Sequence, residues 1–213
     1  MQQANIEEGA YVEEGVPVGA GSIVRAGARV HLPVPPNCEV AGDPARVVRL
    51  LDLAVDIDAA ERRLVRSSSA SRDLDFGCSL HQIGSASDIR GDLYVACSSS
   101  HVPFPPARVF VTTVAHDSDI RGNHAHSSTA EFLIPLQGTI RVLISDGNAA
   151  AVVELDAPDV GLYLPPLVWT CQYAYSPGAK LLVLASEPYQ PDGYIRSISD
   201  LQMARVNADS SDR

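Results

Sequence analysis

Along the first stretch of the chain one aliphatic side chain returns at every sixth position: Ile6, Val12, Val18, Val24 and Val30. Gly9, Gly15, Gly19, Gly21 and Gly27 fill the spaces between them. A period of six matches neither a helix nor a single strand, whose side chains repeat after about 3.6 and about 2 residues. It predicts the flat faces of a parallel β-helix, with each aliphatic residue pointing into the coil. Prolines in His31–Asn37, HLPVPPN, end the repeat. From Leu50 to Val65 the acids Asp52, Asp56, Asp58 and Glu61 come first, and Arg62, Arg63 and Arg66 follow. Leu50, Leu53, Ile57 and Leu64 fall on one face, so a short helix with charges suited to its dipole is expected. Ser67–Ser71 reads as a flexible linker, and the domain boundary is placed near it. From Phe76 onward short β-prone runs are separated by turn signals. Strands are predicted near Ser79–Ile83, Leu93–Cys97, Arg108–Ala115, Glu131–Leu136, Thr139–Ser145, Ala150–Leu155, Gly161–Leu164, Val168–Tyr175 and Lys180–Ser186. Turns are predicted at Gln137-Gly138, Asp146-Gly147, Pro158-Asp159 and Ser176-Pro177-Gly178; Asp-Gly is a strong hairpin turn. Strands at this spacing imply a sandwich or barrel. After Ser199 a short helix gives way to a polar tail, and residues 206–213 are expected to be disordered.

Within the β region the segment Arg121–Gly138, RGNHAHSSTAEFLIPLQG, holds the candidate chemistry. On a strand, His124 and His126 point to one face and Ala125 to the other. Glu131 opens the apolar run Phe132–Leu136, and a turn at Gln137-Gly138 leads into Thr139–Ile144. The pattern predicts a β-hairpin that carries the histidine pair into a pocket.

Composition narrows the partners. The chain has 213 residues, 46% of them hydrophobic, and a net charge of −10. That charge argues against nonspecific nucleic-acid or anionic-membrane binding, so an anionic ligand needs a local basic patch. The cations are nearly all arginine, with Lys180 the exception, and arginine suits bidentate phosphate contacts. Cys38, Cys78, Cys97 and Cys171 are scattered, without the spacing of a zinc knot or disulfide framework. No apolar run is long enough to span a membrane. The N-terminus lacks a signal pattern, so a soluble cytoplasmic protein is expected.

Two resemblances sharpen these expectations. The segment Cys38-Glu39-Val40-Ala41-Gly42-Asp43-Pro44-Ala45-Arg46-Val47-Val48 resembles the exit segment of the left-handed β-helix acyltransferases of the hexapeptide family. The resemblance implies that residues 1–49 are a truncated left-handed β-helix, kept as a packing or trimerisation element. Their single histidine, His31, lies in the exit segment, so no acetyl transfer is expected of them. The other possibility is a piece of a longer bifunctional protein.

In the second half, His124, His126, Glu131 and Gly138 keep the spacing of the first motif of the cupin superfamily. The series Asp88-Ile-Arg90-Gly91-Asp92-Leu93, Pro103-Phe104-Pro105, Arg108-Val-Phe110, Arg121-Gly-Asn-His-Ala-His126, Asp146-Gly147, Asp159-Val-Gly-Leu-Tyr-Leu-Pro-Pro166 and Trp169 resembles the WxcM-like sugar 3,4-ketoisomerases. The implied fold is all-β: a cupin (jelly-roll) barrel over 76–205, preceded by a helix/linker at 50–75 and a short left-handed β-helix fragment. The implied reaction takes dTDP-4-keto-6-deoxyglucose to its 3-keto isomer with no metal and no cofactor. The implied assembly is a homo-oligomer, a cupin dimer with possible β-helix trimer contacts. Moving a ketone from C4 to C3 needs one proton removed and one returned, which suits groups titrating near neutrality. His124 and His126 are the expected catalytic pair. Arg121, Arg108, Glu131, Tyr163, Trp169 and Tyr173 are the expected substrate-binding residues.

Two positions depart from the resemblance. Thr112 and Thr113 stand near the place of a tyrosine, and Glu131 stands where glutamine is usual. Two further readings therefore stay open. One is a catalytically silent nucleotide-sugar-binding or scaffold subunit. The other is a metal-dependent cupin oxygenase using His124, His126 and Glu131.

Overall fold

The structure, a computed structural model, describes residues 3–51, 57–67, 71–98, 100–116 and 119–211. The chain divides into two units, Met1–Ala54 with Arg196–Ile198 and Val55–Ile195 with Ser199–Arg213.

In the first unit the period of six becomes parallel pairing. Asn5–Ile6 lies beside Ile23–Val24, which lies beside Cys38–Ala41, and Tyr11–Val12 lies beside Arg29–Val30. Val18 bridges to Val34 in the same sense. Polar contacts between coils keep this step, with Arg25 on Glu7 and His31 on Glu13, each 18 residues apart in sequence. Val24, Val30, Val34, Cys38 and Val40 are buried in the coil, with Val12 and Val18 packed against them. Ile6 is exposed. Gly9, Gly15, Gly21 and Gly27 take left-handed angles at the corners, which a residue with a Cβ rarely adopts. Leu50 does not start a helix. It ends the strand Arg46–Leu50, which turns back antiparallel on Cys38–Ala41.

The second unit is built on twelve labelled strands and two helices. Its strands are β1 (Ser79–Gln82), β2 (Gly84–Asp88), β3 (Gly91–Val95), β4 (Arg108–Thr112), β5 (Arg121–His126), β6 (Glu131–Gln137), β7 (Ile140–Ser145), β8 (Ala150–Leu155), β9 (Val160–Leu164), β10 (Trp169–Tyr173), β11 (Lys180–Ala185) and β12 (Tyr194–Ile195). The helices are α1 (Ile57–Glu61) and α2 (Ile198–Ser211). One six-stranded sheet has the order β4-β11-β6-β9-β1, closed by Arg72–Asp73; the other has the order β12-β5-β10-β7-β8, closed by Val65–Arg66.

Residues near the expected linker thus belong to the barrel. Val65–Arg66 pairs with Val153–Glu154, and Arg72–Asp73 pairs with Leu80 and Ser79. Leu53 and Ser68–Ala70, read as helix face and linker, lie outside the described residues. Helix α2 runs to Ser211, into the stretch expected to be disordered. Its side chains hold it to the barrel loops, Gln202 donating to the Gly147 carbonyl at 2.9 Å and Arg205 to the Leu167 carbonyl at 2.8 Å.

The core lies between the sheets. Val142 and Ile144 of β7 face Leu133 of β6, Leu162 of β9 and Leu181 and Val183 of β11. β6 is apolar on both faces because the outer face is covered too: Phe132 and Ile134 pack with Ile83, Val102 and Leu184. Two covered faces explain its unbroken apolar run. Pro135 cannot donate to a ladder, and pairing with β9 stops at Leu133.

The turn at Asp146-Gly147 closes the β7–β8 hairpin, as expected. The turn at Gln137-Gly138 does not close a hairpin. β6 and β7 belong to opposite sheets, so this turn is a corner between them. Thr139 N–H donates to Ser176 Oγ at 2.8 Å, and Ser176 N–H donates to the Thr139 carbonyl at 2.9 Å. Two sheet-crossing corners are thereby tied together.

Gly161 of β9 leaves no room for a side chain, since a Cβ there would lie 2.0 Å from a Phe132 ring carbon. Gly161→Ala forces that buried ring aside. We expect a loss of about 2–3 kcal/mol of stability, typical of an overpacked core, in urea denaturation. An unchanged midpoint would mean that the ring moves at no cost.

Candidate active site

Strand β5 has to solve a parity problem. Strict alternation would send Arg121 to the face opposite His124 and His126. The register with β10 shows the solution: Arg121 lies opposite Gln172, Gly122 opposite Cys171, and His124 rather than Asn123 opposite Thr170. Asn123 is the extra residue of a β-bulge. Gly122 and Asn123 both have left-handed angles, with φ of 77° and 57°. Arg121, His124 and Gln172 then line one cavity of about 180 Å³ between the sheets. A Cβ on Gly122 would lie 2.9 Å from Gln172 Oε1 and 3.0 Å from the Thr170 carbonyl.

The histidine rings are 4.9 Å apart and nearly perpendicular. Tyr194 of β12 lies beside both, 4.8 Å from His124 and 4.6 Å from His126 between ring centres. His124 Nδ1 is 2.9 Å from the Gly122 carbonyl. A carbonyl can only accept, so Nδ1 carries the hydrogen, and in the neutral ring Nε2 is the acceptor. His126 is 7% exposed and Glu131 8%. His126 Nε2 lies 3.3 Å from Glu131 Oε1, close enough for an ion pair although not aligned as a hydrogen bond.

This contact spans the two sheets, with His126 on β5 and Glu131 on β6. The loop between them is fastened by Glu187, whose Oε2 accepts from Ser128 Oγ and Thr129 Oγ1, both at 2.8 Å. Those hydroxyls, Thr129 first, hold the Glu187 carboxyl below its usual range. Among the described residues no three His, Cys, Asp or Glu side chains are grouped as metal ligands.

Comparison with known proteins gives this geometry a family. Residues 76–205 match the family described as FdtA: WxcM-like, C-terminal. The chain belongs to the WxcM-like FdtA family. A TDP-4-oxo-6-deoxy-alpha-D-glucose-3,4-oxoisomerase of Aneurinibacillus thermoaerophilus is 34% identical over 122 residues, covering 56% of this chain and 88% of that protein. The sugar 3,4-ketoisomerase QdtA of Thermoanaerobacterium thermosaccharolyticum, solved with TDP, superposes with a TM-score of 0.60 at 30% identity, covering 63% of this chain and 98% of its own. The TDP-quinovose 3,4-ketoisomerase WlaRB of Campylobacter jejuni gives 0.58 at 32% identity, covering 60% and 98%.

Within this WxcM-like barrel the expected site residues separate into two groups. His124, Glu131 and Arg121 line the cavity, and His126 touches Glu131. Arg121 also donates from Nε to the Thr113 carbonyl at 2.9 Å. Arg108 lies over Phe110 and Tyr189, its carbon 5.1 and 5.7 Å from the ring centres, and its buried Nε has no hydrogen bond among the described residues.

The three aromatic residues expected to line the pocket do not line this cavity. Tyr163 sits on the outer face of its sheet, beside His81 and Phe104. Trp169 is fully buried, on the row of β10 that alternates with the inward Thr170 and Gln172. Tyr173 shares that outward row and donates to Glu61 of α1 at 2.9 Å. Burial, and then that carboxylate, push its phenol well above the ordinary value. Strand parity explains all three positions.

The sequence reading missed Tyr194, Gln172, Phe110, Thr112 and Val183 as cavity residues. Gln172 was recoverable from parity once Trp169 was placed outward. Tyr194 had no local signal, because its two-residue strand gains meaning only by pairing with Ala125 and His126.

Gly122→Ala tests the bulge. A methyl group there meets both a side chain and a backbone oxygen, in a backbone conformation that alanine disfavours. The expected result is a folded protein that melts lower and has lost most of its activity. A variant with native melting and turnover would show that the bulge does not set the inward row.

Proposed function

We propose that this chain converts a TDP-linked 4-keto-6-deoxyhexose into its 3-keto isomer by proton transfer through an enediolate. The main support is a pair of adjacent imidazoles in different surroundings. His124, with Nδ1 bonded to a carbonyl, offers Nε2 as the base that takes the C3 hydrogen. The resulting enediolate spans C3 and C4, and its hydroxyl proton passes from O3 to O4. His126, facing the Glu131 side chain, is the general acid that delivers a proton to C4. The ketone then stands at C3 and the hydroxyl at C4, and the two rings have exchanged protonation states. Arg121 stabilises the negative oxygen. Arg108, with an unpaired buried nitrogen, supplies local positive charge for the diphosphate in a chain whose net charge is −10.

TDP-4-keto-6-deoxyglucose in deuterated water tests this proposal. Proton NMR should show loss of the C3 hydrogen and growth of the 3-keto isomer. His124→Ala and His126→Ala should each slow turnover by at least about a hundredfold, as expected for loss of a general acid or base. TDP affinity should stay within about twofold. Binding without exchange by the native protein would instead identify a silent nucleotide-sugar-binding subunit.

We further propose that the chain acts as a homo-oligomer. Among the described residues the β2–β3 hairpin pairs with neither large sheet and exposes Ile89, Leu93, Tyr94 and Val95. β4 is an open sheet edge with Val109 and Val111 exposed. An isolated ribbon is marginal in water and an open apolar edge invites pairing, so a second copy covering both relieves both. Sedimentation equilibrium at micromolar concentration should give at least a dimer; a monomer would refute the assembly.

A further inference from the structure

Native interiors leave few buried polar atoms unpaired, and each one calls for a cause. Thr112 Oγ1 and Tyr175 OH are two such atoms, neither making a hydrogen bond of ordinary geometry among the described residues. They are neighbours, because the Thr112 hydroxyl acts directly on the Tyr175 phenol. Tyr175 is only 2% exposed, and burial pushes its phenol up to about 12, so it remains a protonated donor. Thr112 lines the cavity. It belongs to β4, in the sheet facing the one that carries His124. The proton transfers proposed above use neither hydroxyl.

We infer that Thr112 reads an oxygen of the hexose ring and that Tyr175 is its positioning residue. The Tyr175 hydroxyl donates to Thr112 Oγ1, which turns the Thr112 hydrogen into the cavity. An acceptor oxygen on the sugar completes the chain. The histidines approach the ring from one sheet and Thr112 holds it from the other. Thr112 is therefore a specificity residue for the sugar, not for the nucleotide.

This inference rests on the isomerase proposal, and a site role is told from a packing role by affinity for the sugar nucleotide relative to TDP. Removing the Thr112 hydroxyl leaves the buried Tyr175 hydroxyl without its acceptor, so Thr112→Val lowers melting in either role, and Thr112→Ser, which keeps the hydroxyl, is the control.

The test compares the native protein with Thr112→Val, Thr112→Ser and Tyr175→Phe. It measures turnover of TDP-4-keto-6-deoxyglucose, calorimetric affinity for that compound and for TDP alone, and thermal melting. Thr112→Val should raise KM about tenfold, the loss of one neutral hydrogen bond at the upper end of its net range. Thr112→Ser should stay within about twofold of the native protein, and Tyr175→Phe should move KM in the same direction by less. TDP affinity should not fall in any variant. A native KM in Thr112→Val overturns the inference, as does a fall in TDP affinity that parallels the loss of activity. If the native protein binds the sugar nucleotide without turning it over, the isomerase proposal fails by itself. The affinity gap between the sugar nucleotide and TDP then decides the role of the pair: it should shrink in Thr112→Val, and an unchanged gap refutes it.

Discussion

A β-strand shows one face every second side chain, and the site depends on how β5 breaks that rule. Arg121 is out of phase with His124 and His126. One extra residue, Asn123, brings them back into phase. Two conditions make the insertion tolerable. Gly122 has no Cβ where Gln172 and the Thr170 carbonyl press closest. Asparagine is among the few other residues that accept a left-handed backbone. The neighbouring β7–β8 pair, by contrast, runs in full register from Ile140 to Ser145. A second register shift, between Pro135 and Gln137 on the β6–β11 pair, lies at the far end of β6 from Glu131.

The two-sheet architecture supplies the second constraint. Each inward residue meets the opposite sheet, so the interior is apolar wherever a partner is apolar and polar only around the cavity. Val142 and Ile144 lie in the apolar part. His126 and Glu131 lie in the polar part, close together and almost fully shielded from water. Shielding strengthens their attraction, and it also makes either charge costly alone. Their separation is set by the crossing between β5 and β6, which Glu187 fastens through Ser128 and Thr129.

Much of this architecture was legible in the sequence where the pattern was local. The six-residue repeat became parallel coil pairing, and Asp146-Gly147 closed a hairpin. The apolar run before Gln137-Gly138 and the one after it resembled two arms of another hairpin. Nothing local distinguishes a hairpin turn from a corner between sheets, and the pairing partners of β6 lie at β9 and β11. Tyr163, Trp169 and Tyr173 were apolar rings near the motif, and proximity along the chain said nothing about face. Tyr173 finds its partner in Glu61, far away in sequence, and Tyr194 reaches the histidines from beyond β11. Face assignments fail first where a bulge resets the phase or both faces of a sheet are covered, and here both conditions hold.

His124 and His126 look equivalent in the sequence, since each is a histidine on the same strand face. Their surroundings make them different. The Gly122 carbonyl, at the bulge, takes the Nδ1 hydrogen of His124. Glu131, from the other sheet, faces Nε2 of His126. The two rings thus have different partners, and the proposed 3,4-isomerisation draws on that asymmetry. A glutamine at 131 would place an amide where this chain places a carboxyl group. The departure of Glu131 from the family pattern therefore bears on the immediate surroundings of His126.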